Sequence, residues 1–375
     1  MNSILGEEFR DDLRSIGESV STLVHPGQDA VQKAGSGNAA ARKILSTAEI
    51  APLTTLSNTR SMLAVAYTLV LIFLGFAWGV AAWGTLWIIL PIALLGIAQH
   101  GLFILSHEAA HYRLISNRAW NDLVGRMIGM SGGVSMHTYR VTHRLHHNYL
   151  YTHEDPDTAI HGGYPRGSAY LWRKLLLDII GWNARKTYAY FFGSPAINED
   201  TGAKLNPLND TSPELRRTAR IDLWWVVGFH LVAPFAAFGL GGVHGLMLYT
   251  VLWILPLVTV LQPLLRLRAI CEHGAVTDLS SPLTAARSNN TTGSLGNWLA
   301  RAVLFPHHVN YHLEHHLYPA VPHYYLPRLH AMLKEKGALQ GAEVRDVAST
   351  LSRIFAPRHT KPNTPQAQEH QHVSI

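Results

Sequence analysis

The chain has a single cysteine, Cys271, among 375 residues. That excludes an intramolecular disulfide, a multi-cysteine zinc site and a cysteine-ligated iron–sulfur cluster. Charge is also scarce. Only 15% of residues are Asp, Glu, Lys or Arg, where soluble globular domains carry about 25%. The scarcity is concentrated: no such residue occurs from Ser61 to Ser106 or from Leu223 to Leu265, runs of 46 and 43 residues. Nor does the N-terminus, MNSILGEEFR, show a basic start followed by an apolar core, so no secretory signal is legible. No basic stripe with interleaved aromatics is present, which argues against a nucleic-acid partner. With 47% hydrophobic residues, intrinsic disorder and a collagen-like fibre are excluded, and a purely soluble enzyme is not expected.

A bilayer crossing needs about 20 apolar residues, so each uncharged run has room for two helices and a tight turn. The first run divides near Trp83-Gly84-Thr85 and the second near Gly239-Leu240-Gly241-Gly242. Four spans are therefore expected, at about 62–82, 86–105, 223–238 and 244–264. Of the 31 Lys and Arg, 6 precede the first run, 14 lie between the runs and 11 follow the second. None falls in the two turns. The positive-inside rule then puts both termini and the middle segment in the cytoplasm, and topology accounts for the net charge of +6. Residues 169–192 mix apolar, aromatic and basic side chains and read either as interfacial helices lying on the membrane or as soluble amphipathic helices of a cytoplasmic cap. The expected organisation is a cytoplasmic N-terminal segment (1–60), a membrane domain (61–335), and a C-terminal helix with a polar disordered tail (336–375).

Histidine is abundant, with 23 in the chain, and 17 of them fall in the segments 100–161 and 273–330. Three clusters have the spacing of one helix face. His107 and His111 (HEAAH) stand at i and i+4. His143, His146 and His147 (HRLHH) stand at i, i+3 and i+4, and His312, His315 and His316 (HLEHH) repeat that pattern. A lone buried histidine is usually a hydrogen-bonded core residue, and one i,i+4 pair arises easily by chance. Three clusters, two with identical spacing, point to metal binding. Eight imidazoles exceed what one ion can use, so two ions are expected. Two rivals fit less well. HEAAH matches the H-E-x-x-H pattern of zinc proteases, with Glu108 as general base, but this leaves the other boxes unexplained. A metal transporter would place ligands along the spans, which are nearly free of ionisable residues.

The order HxxxH, HxxHH, HxxHH, each beside paired spans, resembles the integral-membrane fatty acid desaturase/hydroxylase superfamily. HRLHHNYLYTHEDPD is similar to its second box and VNYHLEHHLYPAVPHYYLPRLH to its third. The resemblance covers about residues 60–335. It implies an all-α integral membrane fold of four transmembrane helices in two hairpins, under a cytoplasmic helical cap that holds a dimetal site. It also implies a non-haem diiron centre, two iron ions that use dioxygen against an unactivated C–H bond. Its iron ligands fall on His107, His111, His143, His146, His147, His312, His315 and His316. A further ligand from the end of the fourth span is best matched by His273, in RLRAICEHG. Acyl-CoA desaturases have Asn four residues before this histidine; here Ala269 stands instead, and the local text is closer to the Glu-His-Gly of membrane hydroxylases.

Ligating imidazoles need acceptors for their second N–H. Glu108, Asp155, Asp157 and Glu314 are candidates, although Asp155-Pro156-Asp157 also reads as a turn with capping aspartates. Glu272 is either an imidazole's partner or the ion-pair partner of Arg268. Asn310 either orients a ligand or caps the helix of the third box. His100 reads as a buried, hydrogen-bonded residue, and His137, His153, His161, His307 and His308 carry no repeated pattern.

The expected activity is an oxygen-dependent fatty acyl desaturase, with a hydroxylase or ketolase of the same superfamily, acting on a lipid, alkane or carotenoid, as the alternative. The substrate is expected to be a lipid or acyl thioester. Electrons are expected from a separate ferredoxin, rubredoxin-like protein or cytochrome, because His25-Pro26-Gly27, the one haem-domain-like tripeptide, has no second histidine near it. A bacterial inner membrane is favoured over the endoplasmic reticulum.

Overall fold

The computed structural model describes residues 44–151, 155–192, 196–197, 204–205, 212–279 and 281–357. Most of the expected N-terminal segment, including His25-Pro26-Gly27, lies outside the described residues, as do His153 and the tail beyond Pro357.

The chain enters through α1 (Thr47–Thr54), whose N-cap Ser46 and Glu49 form a reciprocal capping box. Two apolar helices follow, α2 (Asn58–Ala81) and α3 (Ile89–Ala110), joined by a turn in which Gly84 adopts φ +77°. The two meet closely: a Cβ added at Gly75 would lie 2.7 Å from Leu95. From Ala98 to Ala110 every residue of α3 is buried, the burial expected of a helix that is hydrophobic all round. This helix carries the first histidine box at its C-terminal end.

Between the apolar stretches lie α4 (Arg118–Ser131), α5 (Met136–Tyr149), α6 (Thr158–His161), α7 (Ser168–Ile179) and α8 (Ala184–Phe191). Asn117 and Ser135 cap α4 and α5 through their side chains. Trp172, Leu176, Ile179, Ile180 and Trp182, in and just after α7, are exposed, leaving that helix with an outward apolar face. Two short strands, β1 (Ala196–Ile197) and β2 (Lys204–Leu205), pair antiparallel.

The second uncharged run forms α9 (Pro213–Tyr249), a π-helical turn at Thr250–Ile254, α10 (Leu255–Val258) and α11 (Leu261–His273). Among the described residues three stretches are long and apolar enough to cross a membrane: Asn58–Ala81, Leu86–Ala110 and the 61-residue Pro213–His273. At 1.5 Å per residue the last would run about 90 Å if straight, three times the hydrocarbon thickness. It is not straight. Gly241 (φ −144°, ψ 15°) and Gly242 (φ 58°, ψ −146°) leave helical geometry. Beyond them, a Cβ at Gly245 would lie 2.2 Å from the Ala237 carbonyl oxygen. The chain doubles back there, and only glycine accommodates the approach.

The remainder contains β3 (Ser288–Asn290), α12 (Leu295–Val303), α13 (His312–Leu317, carrying the third box), α14 (Leu326–Glu335), β4 (Val344–Asp346) and α15 (Val347–Ile354). The β3–β4 pair is parallel and ties the C-terminal elements to the residues after α11. The fold is mostly helical, which fits the all-α expectation; among the described residues it adds only two strand pairs of two and three residues, too short to impress a period on the sequence.

Candidate metal centre

The histidine boxes sit on four helices whose ends converge. From α3 comes His107, with His111 at its C-cap, from α5 His143, His146 and His147, from α11 His273, and from α13 His312, His315 and His316. They form two groups. His107, His111, His143, His147 and His315 each offer a ligand atom within 4.8 Å of all the others, and His146, His273, His312 and His316 do the same. In the first group the Nε2 atoms of His107 and His143 lie 2.8 Å apart, His143 and His147 3.0 Å, and His147 and His315 3.1 Å. In the second, His146 and His273 lie 3.1 Å apart, His273 and His312 2.8 Å, and His312 and His316 3.1 Å. The groups adjoin where His147 and His316 stack, with ring centroids 4.1 Å apart. His111, His147 and His316 are half-buried and the other six buried, so the site opens on that side.

Burial first, and neighbouring imidazoles second, hold the pKa values of His143, His147, His312, His315 and His316 well below the usual histidine value. Neutral rings have a lone pair to give. His146 differs: burial opposes its charge, but Asp155 raises its pKa to about 9. Asp155 itself is held below the usual carboxylate range; burial works against this, and His146 outweighs it.

The expected acceptors divide. Asp155 Oδ1 lies 3.0 Å from His146 Nδ1. Glu108 lies 3.5 Å from His107 Nδ1 and accepts from the His323 backbone N–H at 2.9 Å. Glu272 does both things proposed for it, lying 3.5 Å from His312 Nδ1 and 3.3 Å from Arg268 Nη1. Asp157 is more distant, 3.7 Å from His146 Nδ1, and accepts from the Tyr190 hydroxyl at 2.7 Å. Two expectations need correction. Glu314 touches no site imidazole; it accepts from Ser288 and pairs with His330 at 2.5 Å. On α13 it lies about 100–200° around the axis from the three box histidines. Asn310 neither caps α13 nor meets a site imidazole, and instead donates to the Asn289 carbonyl at 3.0 Å.

Three contributors were not singled out by spacing. Tyr139 stacks on His143 at 5.2 Å between centroids. The Tyr151 hydroxyl lies 2.6 Å from the His273 carbonyl oxygen. His161, fully enclosed, packs 4.8 Å from His273 and stands 3.5 Å from Asp155. Tyr139 stands four residues before His143 on one face of α5, a spacing that a search for histidines passes over; Tyr151 and His161 have no such neighbour in a box. His100 is buried with Nδ1 3.4 Å from the Val303 carbonyl oxygen.

The donor set fits a transition metal. Nine ring nitrogens point inward at two centres with no carboxylate among the principal groups, and imidazole suits iron, zinc, copper and nickel alike. The Nδ1 atoms of His107, His143 and His312 are buried without a hydrogen bond; Glu108 and Glu272 stand 3.5 Å from the first and the third.

The sequence profile of the family described as Fatty acid desaturase matches residues 81–348, which include all nine histidines. This chain belongs to the fatty acid desaturase family. Among its relatives is a Dihydrorhizobitoxine desaturase of Bradyrhizobium elkanii, 28% identical over 72% of this chain and 73% of the relative. The Fatty acid desaturase 3 of Bos taurus is 25% identical over 71% of this chain and 60% of the relative. A chloroplastic Omega-3 fatty acid desaturase of Glycine max is 26% identical over 71% and 58%. The match thus spans about three fifths of the latter two. A member of this family with long apolar helices is an oxygen-dependent oxidoreductase of a membrane setting, and its clustered histidines could hold metal ions.

Proposed function

We propose that this desaturase-family protein inserts a double bond into a fatty acyl lipid, using two iron ions held by the nine histidines. The observation that carries the reading is the gathering of nine imidazoles, from four helices, into adjoining groups of five and four. Bound there, the irons supply the reduction of dioxygen: a –CH2–CH2– unit, O2, two electrons and two protons become –CH=CH– and two waters. The protein's own part is to hold the rings. Asp155 fixes the Nδ1 side of His146, Glu272 faces His312, and Tyr139 stacks on the ring of His143. The half-buried edge at His111, His147 and His316 is the side from which an alkyl chain reaches the metals.

On this reading the doubling back at Gly241–Gly242 makes four spans in two hairpins, with both termini and the histidine-bearing cap in the cytoplasm, in a bacterial inner membrane. The divisions at 60 and 335 separate the membrane domain from its flanks. A separate ferredoxin, rubredoxin-like protein or cytochrome delivers the electrons. Ala269, on α11 four residues before His273, favours a second reading in which a hydroxylase or ketolase forms the alcohol or ketone.

The test is expression in a host of defined lipid composition, with and without oxygen. Mass spectrometry then covers both the lipid and the water-soluble fractions, because one relative is named for dihydrorhizobitoxine rather than a fatty acid. New oxygen-dependent alkenes in the lipid fraction support the proposal. Alcohols or ketones move it to the second reading, and an unsaturated product confined to the soluble fraction removes the lipid substrate.

A further inference from the structure

A charge network that contains none of the nine site histidines grips the helix of the second box. Asp222, on α9, is 1% exposed. Its Oδ2 accepts from the backbone N–H of His137 at 2.9 Å and lies 2.6 Å from Nδ1 of the same residue. Its Oδ1 accepts from Arg126 Nε at 2.6 Å. His137 is the second residue of α5, the helix that presents His143, His146 and His147. On the far side of its ring, Nε2 stands 3.5 Å from Asp122 Oδ2. Asp122 accepts from Arg140 at 2.6 Å, and Arg140 also donates at 3.0 Å to the carbonyls of Ala109 and Ala110. Those carbonyls belong to the end of α3, beside His107 and His111. Ser135, the N-cap of α5, donates to the Ala219 carbonyl of α9 at 3.3 Å.

The arrangement has a plain electrostatic logic. The first N–H groups of a helix lack partners within it, and a carboxylate at that end also meets the positive pole of the helix dipole. Both nitrogens of His137 face carboxylates, and an imidazolium donates from both. Burial opposes that charge, but hydrogen bonds with Asp122 and Asp222 hold its pKa above the ordinary value. Two carboxylates, two guanidiniums and one imidazolium thus form an unbroken chain, Arg126–Asp222–His137–Asp122–Arg140, that joins α4, α9 and α5 and ends on the α3 carbonyls. A slip of α5 by one residue would turn its face by about 100°, taking the three box histidines out of line, and would leave buried charges unpaired.

We propose that Asp222 and His137 are positioning residues that fix the register of α5 against α9 and α3 before any metal binds. They thereby set the metal affinity of the site. This rests on the reading of the nine histidines as ligands.

The test uses the full chain in detergent micelles, stripped of metal and titrated with Co(II), whose visible absorption reports imidazole coordination. Wild type is expected to take up two Co(II) per chain. Asp222→Ala and His137→Ala should each bind Co(II) at least tenfold more weakly, with shifted absorption bands and unchanged helical circular dichroism. The double variant should be no weaker than either single one, because the pair acts as a unit. His137→Asn, whose amide N–H stands about where Nδ1 stands, should recover part of the loss. Wild-type affinity and bands in a folded Asp222→Ala would overturn the proposal, as would additive losses. Should Asp222→Ala fail to fold, the comparison of His137→Ala with His137→Asn decides it: no recovery by Asn overturns it. A wild-type chain that takes up no Co(II) overturns the metal reading itself, and this inference with it.

Discussion

His147 and His316 stack face to face, their centroids 4.1 Å apart and their planes 16° from parallel, and through this contact the group of five adjoins the group of four. The groups differ in what the loss of a ring leaves behind. His147→Ala leaves four imidazoles in its group, enough for a tetrahedral ion; His316→Ala leaves three. Both variants should lose at least about 100-fold in turnover, about 2.7 kcal/mol of barrier. Iron content should separate them, staying near two per chain for His147→Ala and falling towards one for His316→Ala. Equal iron in both would remove the division into unequal groups.

Asp155 is buried 3.0 Å from His146 Nδ1, and it also accepts the backbone N–H groups of Tyr151 and Asp157 at 3.1 and 2.9 Å. It therefore holds the ring and the turn behind it together. Acceptors behind ligating imidazoles typically contribute 10–100-fold in metal affinity. Asp155→Ala should release iron to a competing chelator about 10–100-fold more readily than wild type. Asp155→Asn, which keeps an acceptor but no charge, should fall between. Chelator competition that fails to separate Ala from wild type would show the carboxylate to be a turn residue only.

Much of this site was legible because its pattern is local. The i, i+3, i+4 spacing puts His143, His146 and His147 on one face whatever the rest of the chain does, and a run of 46 residues without a charge needs no partner to be read. What the spacing could not tell is which residues meet across distance. His137 and Asp222 are 85 positions apart and belong to no repeated pattern. His161 gains its place from the return of α6 towards α11. Glu314 sits inside a box and still faces away from the imidazoles, because adjacency in sequence on a helix means about 100° of rotation. His273 lay between these cases: one histidine at the end of an apolar stretch is a weak signal on its own, and the resemblance to known boxes drew attention to it.

The C-terminal elements are anchored by a buried ion pair that should leave a signature in acid. Glu343 accepts from Arg287 Nε at 3.0 Å, Arg345 Nε at 2.9 Å and the Thr277 backbone N–H at 3.0 Å, and Arg287 is wholly buried. Burial alone would raise the carboxyl pKa, but Arg345, Thr277 and Arg287 bring it from 4.5 to about 2. A folded value below the unfolded one stabilises the fold above the unfolded pKa. That contribution is lost as pH falls from about 4.5 towards 2. The melting temperature of wild type should therefore exceed that of Glu343→Gln at about pH 6, and the gap should narrow as pH drops through this window. A gap of constant width would mean that the carboxylate charge contributes nothing.

Close helix packing in the membrane layer gives a further prediction. A Cβ at Gly96 on α3 would lie 2.4 Å from Val260 Cγ1 and 2.5 Å from its Cβ, while one at Gly228 on α9 would meet nothing within 4 Å. Small residues let helices approach where lipid offers no hydrophobic drive to bring them together, and overfilling such a contact costs about 1–3 kcal/mol. Gly96→Leu should thus lower the thermal midpoint in detergent by several degrees. It should also loosen the site, since Val260 immediately precedes α11, which ends at His273. Gly228→Leu, placed where there is open space, should leave the midpoint unchanged or raise it slightly through better helix propensity. Equal midpoints for the two variants would mean that α3 and α11 are not held together at Gly96, and that another contact fixes His273 beside the histidines of α3 and α5.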